Sequence, residues 1–138
     1  MRIVALDVGE KRIGIAISDA FGWTAQGLET YHRSEESRDL AYIAGLLRER
    51  NATGIVIGLP RNMDGSCGPQ AACVQAFAQA LSRHTDIPIE FWDERLSTAA
   101  ARRTLLEADT SRKKRKKVID KMAAVHILQG YLDRKSNE

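Results

Sequence analysis

IVALDVGEKRIGIAISD, residues 3–19, decides the fold. Four apolar residues lead into Asp7, and Gly9 and Gly14 follow closely. From Arg12 to Ser18 the chain alternates: Ile13, Ile15 and Ile17 on one face, Gly14, Ala16 and Ser18 on the other. That is the two-residue period of a strand. With RIVALD (2–7) as a buried strand and Gly9 in the short connection, the stretch reads as a β-hairpin. A carboxylate ending a buried strand is unfavourable unless something stabilises it. The rest of the chain shows what that stabilising group is.

Outward from the hairpin, GLETYH (27–32) extends the strand run. Residues 36–50 carry Leu40, Ile43, Ala44 and Leu47 at helical spacing. GIVIGLP (54–60) is a short apolar strand stopped by Pro60, and residues 61–68 form a loop. Pro69 suits the first turn of a helix, whose core face is read as Cys73, Val74, Phe77 and Leu81. PIEFWDE (88–94) is a last strand, with Ile89 and Phe91 alternating against Glu90 and Trp92. A helix near 98–107, a basic run and a final helix from about 118 to 134 complete the chain. The predicted fold is α/β: a mixed five-stranded sheet, three N-terminal antiparallel strands plus two parallel strands, flanked by helices. The strands at 54 and 88 are joined through a helix and are therefore parallel. Ligands of such sheets gather at the carboxyl ends of the parallel strands. Asp7, the 58–65 loop and Asp93-Glu94 all belong to those ends.

The 138 residues suit one domain, 1–138, with a single core. No apolar run approaches the roughly 20 residues that span a membrane, and no export signal is read at the N-terminus, so a cytoplasmic protein is expected. Cys67 and Cys73 stand without partners at zinc spacing; Cys73 is read as helix core and Cys67 as a loop thiol, both reduced. Net charge is +3, yet RKKRKK (Arg112, Lys113, Lys114, Arg115, Lys116, Lys117) alone carries +6, which leaves the other residues at −3. The body is mildly acidic with one cationic segment.

A third acid joins Asp7 and Glu94. At 100° per residue, Asp120 lies among Ala123, Ala124, Ile127 and Tyr131, within the apolar stripe of the last helix. Buried carboxylates brought together repel one another and tend to protonate. A divalent cation reverses both penalties. An oxygen-only donor set points to Mg²⁺ or Mn²⁺, and a pair of such ions can activate water and stabilise the leaving oxygen of a phosphodiester. Each acid alone has a plainer reading: a turn acid for Asp7, a solvated strand end for Asp93 and Glu94, and an ion pair for Asp120. Their conjunction is the signal.

Four blocks also resemble the YqgF, or RuvX, family across nearly the whole chain. They are D-x-G-x-x-R-x-G-x-A-x-S-D from Asp7 to Asp19, G-L-P-x-x-M-D-G-S from Gly58 to Ser66, D-E-R-L-S-T from Asp93 to Thr98, and K-x-x-x-D-x-x-A-A-x-x-I-L-Q-x-Y-L from Lys116 to Leu132. The resemblance implies an RNase H-like fold, close to that of the RuvC junction resolvases. It implies a metal-dependent endonuclease processing the 5′ end of the small-subunit ribosomal RNA precursor, with Holliday junction resolution on branched DNA as the alternative. By position Asp7 matches the family's first-strand metal acid, Glu94 its second, with Asp93 as the close alternative, and Asp120 the acid of the final helix.

The basic run next to that site suits phosphate contacts that are sequence-independent and salt-sensitive. Arg12, Arg61 and Arg95 can add guanidinium forks to phosphate oxygens; a structural ion pair is the plainer reading of each. Trp23 and Trp92 suit base stacking or, more simply, packing. Resolution of a two-fold junction calls for a stable dimer, whereas an RNA nuclease works as a monomer or weak homodimer. An ATPase or sugar kinase begins with a similar D-x-G hairpin but needs a second domain, for which the chain is too short. A non-catalytic nucleic-acid binder leaves Asp120 without a purpose.

Overall fold

The computed structural model describes residues 2–60, 68–93 and 112–136, with side chains in the last segment from 122 to 135. β1 (Ile3–Val8) and β2 (Arg12–Ser18) form the expected hairpin, in a register that sets Asp7 opposite Gly14. Its turn closes where the Gly9 N–H donates to the Arg12 carbonyl at 2.8 Å. A Cβ on Gly9 would stand 2.9 Å from that oxygen, so glycine is what allows so tight an approach. β3 (Ala25–His32) continues the antiparallel run and begins two residues before the predicted start. β4 (Gly54–Leu59) lies parallel to β1 on its other side, and β5 (Ile89–Asp93) lies parallel to β4. The order is β3-β2-β1-β4-β5, the mixed five-stranded sheet that the hairpin and the later strands predict.

Strand alternation divides the core. Val4, Leu6, Val8, Ile13, Ile15, Ile17, Ile55 and Ile57 face α1 (Glu36–Glu49) and α2 (Pro69–Leu81). Ile3, Ala5, Ala16, Val56 and Trp92 face α3 (Arg112–Ser136), which meets them with Ala124, Ile127, Leu128 and Leu132. The first face is built from bulky aliphatics, whereas the second sets alanines, Ala5, Ala16 and Ala124, among its larger residues. A helix can therefore approach the strands more closely on the second.

Three details differ from expectation. α3 begins at Arg112 rather than near 118, so the basic run forms its first turns. Lys and Arg are good helix formers, and no Gly or Pro interrupts the chain between 112 and 129. Cys73 is exposed, because α2 buries Ala71, Val74, Phe77, Ala78 and Leu81, and position 73 lies at the margin of that stripe. On β5 the buried aromatic is Trp92, while Phe91 is 44% exposed. α3 supplies Gly130 beneath the indole, where a Cβ would come within 2.9 Å of the ring. The helix predicted near 98–107 lies outside the described residues. Among the described residues no helix is long and apolar enough to cross a membrane.

Candidate functional site

Asp7 is the fifth of six residues in the central strand and only 9% exposed. It shares its parity with Ile3 and Ala5, and so belongs to the face that α3 covers. The β1–β4 ladder pairs Leu6 with Ile57, and the β4–β5 ladder pairs Gly58 with Trp92. Asp7 is therefore level with Trp92 two strands away, roughly 10 Å across the sheet. Asp93 follows Trp92 and is paired with Leu59. Its parity sets it on the face opposite Trp92, and hence opposite Asp7.

The other predicted residues fall as follows. Arg12 opens β2 opposite His32 and is half-buried. Asp120 and residues 112–117 lie in α3. Arg61, Glu94 and Arg95 lie outside the described residues. Among the described residues no group of three His, Cys, Asp or Glu side chains stands close enough to hold a metal ion. Asp7 and Asp93, of the four acids predicted, are those with described side chains, and they lie on opposite faces.

The position of α3 along the sheet is set at its far end. The Gln129 carboxamide accepts from the Ala25 N–H at 3.0 Å and donates to the Trp23 carbonyl at 3.1 Å. Ala25 pairs with Ser18, whose hydroxyl accepts from the Ile3 N–H at 2.9 Å. Residue 129 is thus tied to the sheet edge where β1 begins, the edge opposite Asp7. The β2–β3 turn at that edge is fixed by Asp19, which accepts from the Trp23 N–H at 2.8 Å. That hydrogen bond, working against a smaller desolvation effect and with further bonds from Thr24 and Gly22, holds the Asp19 carboxyl below its usual range. Trp23 is 71% exposed and stacks on Phe21, so it is not core, whereas Trp92 is.

Sequence reasoning missed a second acid, Asp39, which is fully buried. It accepts from the Arg33 Nε at 3.1 Å and the Ser34 N–H at 3.0 Å. Burial pushes its carboxyl up, but the bonds from Ser34, Arg33 and Tyr31 outweigh burial and leave it below its ordinary value. Arg33 also donates to the Gly9 carbonyl at 2.9 Å and lies over the Phe77 ring, 5.2 Å from its centroid. One guanidinium thus ties the turn after Asp7 to the start of α1 and to α2. In the sequence, Asp39 looks like an ordinary acid in the first turn of a helix, and nothing marks it as buried.

With this geometry in view, the comparisons are decisive for ancestry. The family model described as RuvX, Holliday junction resolvase, matches residues 1–134. The chain belongs to the RuvX family. A RuvX relative from Halalkalibacterium halodurans, named "Putative pre-16S rRNA nuclease", is 62% identical over 136 residues, covering 97% of each chain. One of the same name from Syntrophomonas wolfei is 58% identical, covering 96% of this chain and 94% of its own. Among solved structures, Thermus thermophilus RuvC in complex with a Holliday junction substrate superposes with a TM-score of 0.62 at 11% identity, covering 99% and 96% of the two chains. Fowlpox virus resolvase bound to Holliday junction DNA gives 0.61 at 13% identity, covering 98% and 99%. At such identities the likeness is one of fold: RuvX has the RNase H-like architecture of the resolvases.

Proposed function

We propose that this RuvX chain is a divalent-metal-dependent endonuclease that hydrolyses phosphodiester bonds in RNA, with Asp7, Glu94 and Asp120 as its acidic centre. The observation that carries the reading is Asp7: a carboxylate 9% exposed, at the carboxyl end of the central strand, on the face that α3 covers. Two further relations support it. The parity of β5 sets Asp93 away from Asp7, which favours Glu94 over Asp93 as the second acid. Asp120 precedes Gln129 by nine residues, about 13.5 Å of helix, and Asp7 follows Ile3 by four, about 13 Å of strand. A helix anchored at β1's start and running back along it has the length to bring position 120 to β1's end.

A hard cation fits the proposed donor set, because the carboxylate oxygens of Asp7, Glu94 and Asp120 suit Mg²⁺ or Mn²⁺. When bound, it supplies Lewis acidity and an acidified water for attack on phosphorus. The chain's own part is positional. Asp7 is held by pairing with Gly14 in a strand that β4 flanks up to Leu6, and the turn after it is held by Gly9 and Arg33. The cationic first turns of α3 counter the charge of the substrate backbone. The substrate is a precursor of the small-subunit ribosomal RNA, in line with the relatives' name, and the setting is cytoplasmic.

The test sets a 16S precursor RNA against a four-way DNA junction in Mn²⁺, with Asp7→Asn alongside. Cleavage of the RNA alone, lost in the variant, is expected. Paired cuts in the junction by a stable dimer would transfer the site to branched DNA, and full activity of Asp7→Asn would remove that residue from it.

A further inference from the structure

A groove opens at the same end of the sheet as Asp7, on the opposite face. On the α1/α2 side of the β1–β2 turn, this open groove of about 1000 Å³ runs between that turn, the end of β3 and the first turns of α2. Val8, which follows Asp7, lines it, and alternation sets Val8 on the face of the sheet opposite Asp7, so the β1–β2 turn lies between the groove and the acid. Three features define what it can hold.

The first is Arg33. Its Nε is engaged by Asp39 and another guanidinium nitrogen by the Gly9 carbonyl, and one face lies over Phe77. The side chain nevertheless remains 20% exposed and lines the groove. A guanidinium so pinned is fixed in orientation where it lines the groove, and guanidinium planes are surfaces on which unpaired bases stack. The second is charge: exposed Lys11 and half-buried Arg12 stand on the turn that walls the groove. The third is the start of α2, which has no side-chain cap at Gly68 and no acid in its first turn. Its partial positive end therefore adds to the two cations. Glu10 and Glu36 stand on the same lining. They oppose a long polyanion and restrict the favourable stretch to a short one.

A flat stacking plane beside a local cationic rim matches a base followed by its phosphate. We propose that this groove binds unpaired nucleotides of the cleaved strand after it has crossed the β1–β2 turn from the scissile phosphate, with a base on Arg33 and a phosphate at Lys11 and Arg12. The subsite rests on the nuclease reading and extends it: the preferred substrate is single-stranded on the side of the cut that passes over the β1–β2 turn.

Cys73 is exposed and lines the groove, so the protein carries its own reporter. In a Cys67→Ser background, short RNA oligomers carrying a disulfide-tethered base at successive positions are added in EDTA. The Cys73 thiolate attacks the tether, a mixed disulfide forms and the tether's other thiolate departs. Rapid capture at one or two positions is expected, suppressed by unmodified RNA, absent in Cys73→Ser and slowed about fivefold by Lys11→Glu. Capture independent of position, or no faster than with the same disulfide on a non-nucleotide carrier, would overturn the proposal. A DNA arm distinguishes the strand type: position-specific capture of DNA but not RNA would assign the groove to an unpaired DNA strand and overturn the RNA assignment. Because EDTA prevents cutting, the readout is separate from catalysis. Specific capture by a chain that cleaves nothing in Mn²⁺ would refute the nuclease reading and keep the groove, and cleavage without specific capture would do the reverse.

Discussion

The two faces of the sheet are built to different rules. Towards α1 and α2, the strands offer Val4, Leu6, Ile13, Ile15, Ile55 and Ile57, a thick aliphatic layer closed by Leu47, Phe77 and Leu81. Towards α3, β1 and β2 offer Ile3, Ala5, Asp7 and Ala16 in a layer that includes Ala124, and Gly130 meets Trp92 of β5. The first face removes much apolar area from water, and burial there is the main source of stability. The second sacrifices part of that area for proximity. Small residues allow a helix near the central strand, which is what the proposed cation, shared between strand and helix, would require. On the proposed reading, stability and chemistry are separated by face, while each strand serves both through alternate residues.

That separation can be broken from either side. The largest stability change belongs to the thick face. Ile15→Ala should cost about 2–5 kcal/mol, since Ile15 is fully buried and its cavity cannot collapse easily. Urea denaturation reads this, and turnover per folded molecule should stay near wild type. Ala124→Leu, on the thin face, should cost less, about 1–3 kcal/mol of overpacking. Yet it should reduce cleavage per folded molecule far more than Ile15→Ala does, by pushing α3 from the sheet. Equal activity losses in the two variants would remove the division between faces.

Much of this was legible in the chain. The alternation of 12–18, the glycine in the turn and the apolar runs at 3–6 and 54–59 define the sheet order, because a short hairpin and a helical crossover leave few other topologies. Asp7 stood out because an acid among Ile, Val, Ala and Leu is itself an anomaly. The rest depended on tertiary partners. Phe91 and Trp92 are both apolar, so alternation alone does not say which one α3 covers; Gly130 decides it, from 38 residues away. Cys73 sits one residue from a buried valine, at a stripe margin no pattern resolves. Arg33 and Asp39 are six residues apart across a strand–helix junction, where a charged pair reads as surface. The groove is assembled from the β1–β2 turn, the β3–α1 junction and the first turns of α2, none unusual by itself.

Smaller effects sharpen the same contrast. Neutralising Lys113, Lys114, Lys116 and Lys117 should leave folding unchanged and lower the salt slope of nucleic-acid binding by up to about 3–4 in log–log terms if each contacts a phosphate. A titration from low to moderate salt measures it, and an unchanged slope would exclude the run from the interface. The acid limb of stability gives the smallest effect. Asp39 has a folded pKa below the ordinary 3.8, so its contribution is full above that value and fades as pH falls through the lower one. Asp39→Asn should therefore flatten the loss of stability below about pH 4, with Asp19's share remaining. Thermal melts between pH 2.5 and 6 report it, and an unaltered acid limb would mean that the buried carboxylate is already protonated.

The most direct measurement is Mn²⁺ binding to the free protein, followed by the paramagnetic signal of the unbound ion, for wild type, Asp7→Asn, Glu94→Gln, Asp120→Asn and Asp93→Asn. The account predicts that the first three variants each weaken the same site by about a hundredfold or more, beyond the 10–100-fold typical of residues behind a ligand, while Asp93→Asn changes little. Mn²⁺ bound with wild-type affinity by Asp7→Asn, or lost in Asp93→Asn alone, would contradict it.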